Sequence, residues 1–117
     1  TMWSIINSPG SFNRSHIHPG CLLSGVYYVQ APENSGDIEF TEPRTQHLMD
    51  QAKFAPGKKR PSKCWTKVKY KPIEGKMIIF PSWLYHAVYP NLSEAIGEGA
   101  SDRIIISFNL SQHKIKK

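Results

Sequence analysis

The chain has 117 residues, 39% hydrophobic and 21% charged, enough for one domain (1–117) and too apolar for a disordered segment. No apolar run approaches the roughly 20 residues that span a bilayer, and no charged-then-apolar leader opens the chain, so a soluble, cytoplasmic protein is expected. The net charge of +6 points weakly to an anionic partner, an acidic cosubstrate or nucleic acid, because basic runs such as 58–60, 63–71 and 114–117 are more often solvated faces.

Along the chain, short runs rich in Val, Ile, Tyr and Phe alternate with Pro, Gly, Asn and Ser. Strands are predicted over residues 2–6, 15–18, 22–30, 37–40, 64–70, 76–80, 85–88 and 103–110. One short helix is predicted over 45–54, between Pro43 and Pro56. Short strands with almost no helix predict an all-β sandwich or barrel, in which closure removes exposed edges. Two longer stretches, 43–63 and 90–102, read as loops of the length that often forms a lid. Cys21 and Cys64 lack Cys-x-x-Cys spacing and read as free, buried thiols.

His16-Ile17-His18 puts two imidazoles on one face of an extended segment. Neutral, they can chelate one divalent metal, and an open metal site needs a third ligand from elsewhere in the fold. His86, after the apolar run 77–80 and a turn, is the candidate; His47 and His113 lie in a polar loop and a basic tail. Alone, His-x-His is equally compatible with ordinary strand histidines. The run from Arg103 to Asn109 adds weight, since period two places Arg103, Ser107 and Asn109 on one face with Ile105 between them. An inward arginine makes little sense in a dry core and good sense as a fork for a carboxylate. Ser24, Val26 and Tyr28 share a face, so Tyr28 either donates to the same anion or simply packs with a wet hydroxyl. Phe80, Trp83 and Tyr85 could exclude water from such a site, although at least one of them is expected to be ordinary core.

The blocks from Asn13-Arg14-Ser15-His16-Ile17-His18-Pro19 through Ser24-Gly25-Val26-Tyr27-Tyr28-Val29 to Gly36-Asp37-Ile38-Glu39-Phe40 resemble a 2-oxoglutarate–Fe(II) oxygenase family found in phage and marine bacteria. Pro72-Ile73-Glu74-Gly75, Phe80-Pro81-Ser82-Trp83, His86-Ala87-Val88 and the segment from Arg103 to Asn109 continue the likeness over nearly the whole chain. The resemblance implies a double-stranded β-helix (a jelly-roll or cupin-like barrel) of the prolyl-hydroxylase superfamily. It implies Fe(II) held by His16, His18 and His86, and 2-oxoglutarate bound by Arg103 and Tyr28, with Ser107 and Asn109 on the inward face. It further implies a dioxygenase that hydroxylates an unidentified substrate (a peptide, nucleotide or sugar) and yields succinate and CO2. Beyond the metal ligands no catalytic side chain is implied.

His18 departs from the superfamily pattern, because it stands where a carboxylate is expected. Asp37 and Glu39 are the nearest carboxylates in sequence. Two rival readings stay open: a cupin-like metal enzyme that does not use 2-oxoglutarate, and a non-enzymatic, phage-associated barrel. Expected partners are the small-molecule cosubstrate and a second copy of the chain as a homodimer, with no membrane. If the chain is phage-encoded, its compartment is the host cytoplasm. The basic residues between 58 and 71 motivate a nucleic-acid-directed variant of the oxygenase.

Overall fold

The computed structural model describes residues 1–44, 55–62 and 65–113. Its eight strands are β1 (Met2–Asn7), β2 (Asn13–His16), β3 (Leu23–Gln30), β4 (Ile38–Thr41), β5 (Lys67–Tyr70), β6 (Met77–Pro81), β7 (His86–Val88) and β8 (Arg103–Leu110). Each predicted strand is found, with ends moved by at most three residues and β8 matching at both ends. β2 stops two residues short of the predicted end. His18 precedes Pro19, which has no N–H for a ladder, and the His18 N–H leaves the sheet to donate to Ser82 O at 2.9 Å. The helix predicted over 45–54 lies outside the described residues, as does Cys64, and the described residues contain no α-helix. Cys21 is half-buried, not buried as its residue type suggested.

The strands form two four-stranded sheets, in the orders β1-β8-β3-β6 and β2-β7-β4-β5. All pairings are antiparallel. Because the chain passes repeatedly from one sheet to the other, β7 settles between β2 and β4, and β8 between β1 and β3. This is the double-stranded β-helix. It puts His86 directly opposite His16 and places Arg103 at the start of β8, a central strand of the first sheet.

Val26, Tyr28, Ile105 and Phe80 from the first sheet and Ile38 and Phe40 from the second make the buried apolar core. Phe40 and Phe80 meet edge to face with centroids 4.9 Å apart; burying each ring contributes about 1.5–3 kcal/mol. On the outer face of the first sheet, the Phe108 ring lies over Gly25, where a Cβ would stand 2.1 Å from the ring. On the outer face of the second sheet, Glu39 accepts a hydrogen bond from the Tyr89 hydroxyl and pairs with Lys67 at 3.6 Å.

The loop 90–102 is strapped down at both ends, with Ile96 at its middle fully exposed. Asn91 is completely buried, and its Nδ2 donates to Asn7 O at 2.9 Å and Ser101 O at 2.8 Å. Gln30 Nε2 donates to Gly99 O and Asp102 O, each at 2.8 Å. These bonds fasten the loop to the ends of β1 and β3.

Candidate metal centre

Three histidines converge where β2 meets β7. Their ligand nitrogens, one from each of His16, His18 and His86, lie within 4.8 Å of one another. The His18 and His86 Nε2 atoms are 3.3 Å apart, with their rings nearly parallel. Two nitrogens each about 2.1 Å from a shared metal, at right angles to one another, are about 3 Å apart, so this spacing suits one ion.

Local backbone aims the rings. Nδ1 of His16 bonds to Arg14 O at 2.6 Å and Nδ1 of His86 to Leu84 O at 2.9 Å. Carbonyl oxygens only accept, so Nδ1 carries the proton in both rings and Nε2 keeps its lone pair for a metal. Burial, reinforced by the nearby His16, holds His18 below the ordinary histidine range. Burial also lowers His86 to about 4; the Leu84 carbonyl opposes that shift, and the two other histidines add to it. His18 and His86 are therefore neutral at physiological pH, the state in which imidazole ligates.

The cluster opens into a chamber of about 420 Å³ between the sheets. Arg103, Tyr28, Ser24, Ser107 and Asn109 line it together with the three histidines. Arg103 is 1% exposed. Its Nη1 donates to the Ser35 and Gly36 carbonyls, and no carboxylate among the described residues pairs with it. Burial lowers its pKa, and Tyr28 opposes the change. Burial raises Tyr28 to about 12, with Arg103 opposing and Asp37 adding to the shift, so its hydroxyl keeps its proton and can donate. A buried guanidinium with no carboxylate partner among the described residues, at the wall of a chamber between the sheets, has the chemistry to receive a carboxylate. The three imidazoles beside it suit Fe(II), Zn(II) or another imidazole-preferring divalent ion. The donor set thus accommodates a metal, and the chamber accommodates a small anion that reaches from it to Arg103.

The nearby carboxylates are employed elsewhere. Glu39 points to the outer face of its sheet, and Asp37 lines a separate hollow with Glu33 and Lys71. No aspartate or glutamate among the described residues joins the histidines. Of the three aromatics considered for excluding water, Phe80 packs on His86 with centroids 4.6 Å apart, whereas Trp83 and Tyr85 are 60% and 50% exposed. His113 is exposed and stands apart from the cluster; His47 lies outside the described residues. None of the described residues of 43–63 or 90–102 lines the chamber.

Sequence reasoning missed Ser82 and the two carbonyls that hold Arg103. Ser82 sits in a turn, where no periodicity reveals which way a hydroxyl faces. The Ser35–Gly36 carbonyls belong to a bend marked in the sequence by Pro32, Asn34 and Gly36, which reveal a turn but not where its carbonyls point; a Cβ at Gly36 would stand 2.7 Å from Arg103 Nη1.

A family model described as "Putative 2OG-Fe(II) oxygenase" matches residues 1–109. A crystal structure of a Pseudomonas putida prolyl-4-hydroxylase superposes with a TM-score of 0.63 at 16% sequence identity, covering 96% of this chain and 52% of that one. The chain thus spans about half the length of that hydroxylase, and the likeness is one of fold. No curated protein matches the sequence. No helix among the described residues is long and apolar enough to cross a membrane.

Proposed function

This chain belongs to the 2OG-Fe(II) oxygenase family, and on that premise we propose that it is an Fe(II)- and 2-oxoglutarate-dependent dioxygenase that hydroxylates a C–H bond of its substrate. The observation that carries this reading is the single chamber shared by three imidazoles and a guanidinium with no carboxylate partner among the described residues. His16, His18 and His86 hold the metal through Nε2, with the Arg14 and Leu84 carbonyls fixing the first and last rings. Arg103 and the protonated Tyr28 hydroxyl bind the tail carboxylate of 2-oxoglutarate, orienting its other end toward the histidines. Ser107 and Asn109 line the path between. When bound, Fe(II) and 2-oxoglutarate supply the activation of dioxygen, with release of CO2 and succinate. Phe80 and Phe40 keep water from the inner side of the metal centre.

Three neutral histidines leave the centre one unit more positive than two histidines and a carboxylate would. That donor set favours a second reading, a cupin-like metal enzyme that works without 2-oxoglutarate. Anaerobic titration with Fe(II) and then 2-oxoglutarate separates the two. The first reading expects the visible metal-to-ligand absorption of the chelate; metal binding without any such band would overturn it in favour of the second.

A further inference from the structure

Ser82, Ser24 and Asn109 form a buried chain of hydrogen bonds along the chamber wall. We propose that Ser24 and Ser82 are positioning residues that lock the Asn109 carboxamide with its NH2 group toward the chamber, so that Asn109 selects ligands presenting an anionic oxygen beside the three histidines. The inference rests on the proposed function for the metal at the histidines and for the ligand, 2-oxoglutarate.

The protons fix the direction of the chain. Ser24 Oγ donates to Asn109 Oδ1 at 2.7 Å. That uses the single Ser24 proton, so the 2.8 Å contact between the hydroxyls is donated by Ser82. Ser24 and Ser82 are 2% and 0% exposed, so water has no access to the bond between the two hydroxyls, whereas Asn109 is half-buried. Rotating the carboxamide by half a turn would make Asn109 the donor to Ser24 and remove the acceptor of the Ser24 proton. Whichever serine then donated to the other, one of the two buried hydroxyl protons would have no acceptor in the chain. A free carboxamide has no comparable preference between its two orientations. Here its Oδ1 is committed to Ser24, its NH2 has no partner among the described residues, and the residue lines the chamber.

The same turn sets the metal ligands. Ser82 O accepts the His18 N–H at 2.9 Å, and Ser82 N–H donates to Leu22 O at 3.2 Å. Two residues on, the Leu84 carbonyl holds the His86 ring. One short turn therefore registers the histidines and the carboxamide against each other.

The test is calorimetric titration of 2-oxoglutarate into Mn(II)-loaded wild-type, N109D and S24A proteins, with Mn(II) affinity measured separately. N109D keeps the shape and still accepts from Ser24, but presents an oxygen in place of the NH2. Its 2-oxoglutarate affinity is expected to fall at least tenfold while Mn(II) binding is retained. S24A, which frees the carboxamide, is expected to lose about 2- to 12-fold with Mn(II) binding likewise retained. If S24A does not fold, N109D carries the test. Wild-type-like 2-oxoglutarate affinity in N109D overturns this inference alone. Failure of the wild-type protein to bind 2-oxoglutarate overturns the proposed function and the ligand assignment together.

Discussion

Replacing Arg103 with methionine preserves the length of the side chain and removes its charge. Arg103 is 1% exposed, so a carboxylate bound beside it is stripped of water and depends on the guanidinium. Leaving such a charge buried and unpaired costs about 3–5 kcal/mol, or roughly 140- to 3,700-fold in affinity at 1.4 kcal/mol per decade. The lower end is expected, because Nη1 is already shared between the Ser35 and Gly36 carbonyls. The assay is anaerobic titration of the Fe(II) protein with 2-oxoglutarate, followed by its absorption band. 2-Oxopentanoate, which has the same carbon chain without the tail carboxylate, is the control and should bind wild type and R103M alike. Retention of 2-oxoglutarate affinity within tenfold would refute the carboxylate role. Equal loss of both ligands would refute it too, by assigning Arg103 to the fold instead.

Other expectations concern the metal ligands and the fold. His18→Ala should weaken metal binding by more than the ~10–100-fold that losing an outer partner of a ligand costs, whereas His18→Asp should restore it; equal metal affinity in both variants, by competition with a chelating dye, would exclude residue 18 from the ligand set. Because the folded protein holds His86 near 4 and the unfolded chain holds it near 6.5, the unfolded state takes up the proton first. The metal-free protein should therefore be most stable above about pH 6.5 and lose stability as pH falls toward 4. Urea midpoints should follow that fall, less steeply in His86→Phe, and parallel curves for the two proteins would contradict the assignment. Gly25→Ala drives a methyl group into the Phe108 ring and should cost about 1–3 kcal/mol, seen as a lower thermal midpoint; an unchanged midpoint would mean that the ring moves aside freely.

The fold was readable because its strands are short, rich in β-branched and aromatic residues, and separated by Pro and Gly. The alternation over Arg103, Ile105, Ser107 and Asn109 correctly puts all four on the chamber wall. The neighbourhood of His16, His18 and His86 was suggested by spacing and by family likeness, and the pairing of β2 with β7 brings them together. Features that depend on direction within a turn could not be read. Ser82 and Leu84 act through a hydroxyl and a carbonyl whose aim is set by the bend between β6 and β7. The loop 90–102 has the composition of a lid, yet one buried amide, Asn91, ties it down, and a single asparagine among polar residues leaves no pattern to detect.

The bonds from His16 and His86 to carbonyls two residues earlier have a consequence for how a metal is taken up. The His16 ring is held by its own strand and the His86 ring by the turn just before its strand, and the His18 backbone is anchored to Ser82. The centre is thus organised by the folding of the barrel and has little rotamer freedom left to lose when an ion arrives. Metal capture should leave the backbone where it stands, with an entropy change dominated by water released from the ion. An ion that binds only this folded form adds to stability by simple mass action, rising with the logarithm of its concentration.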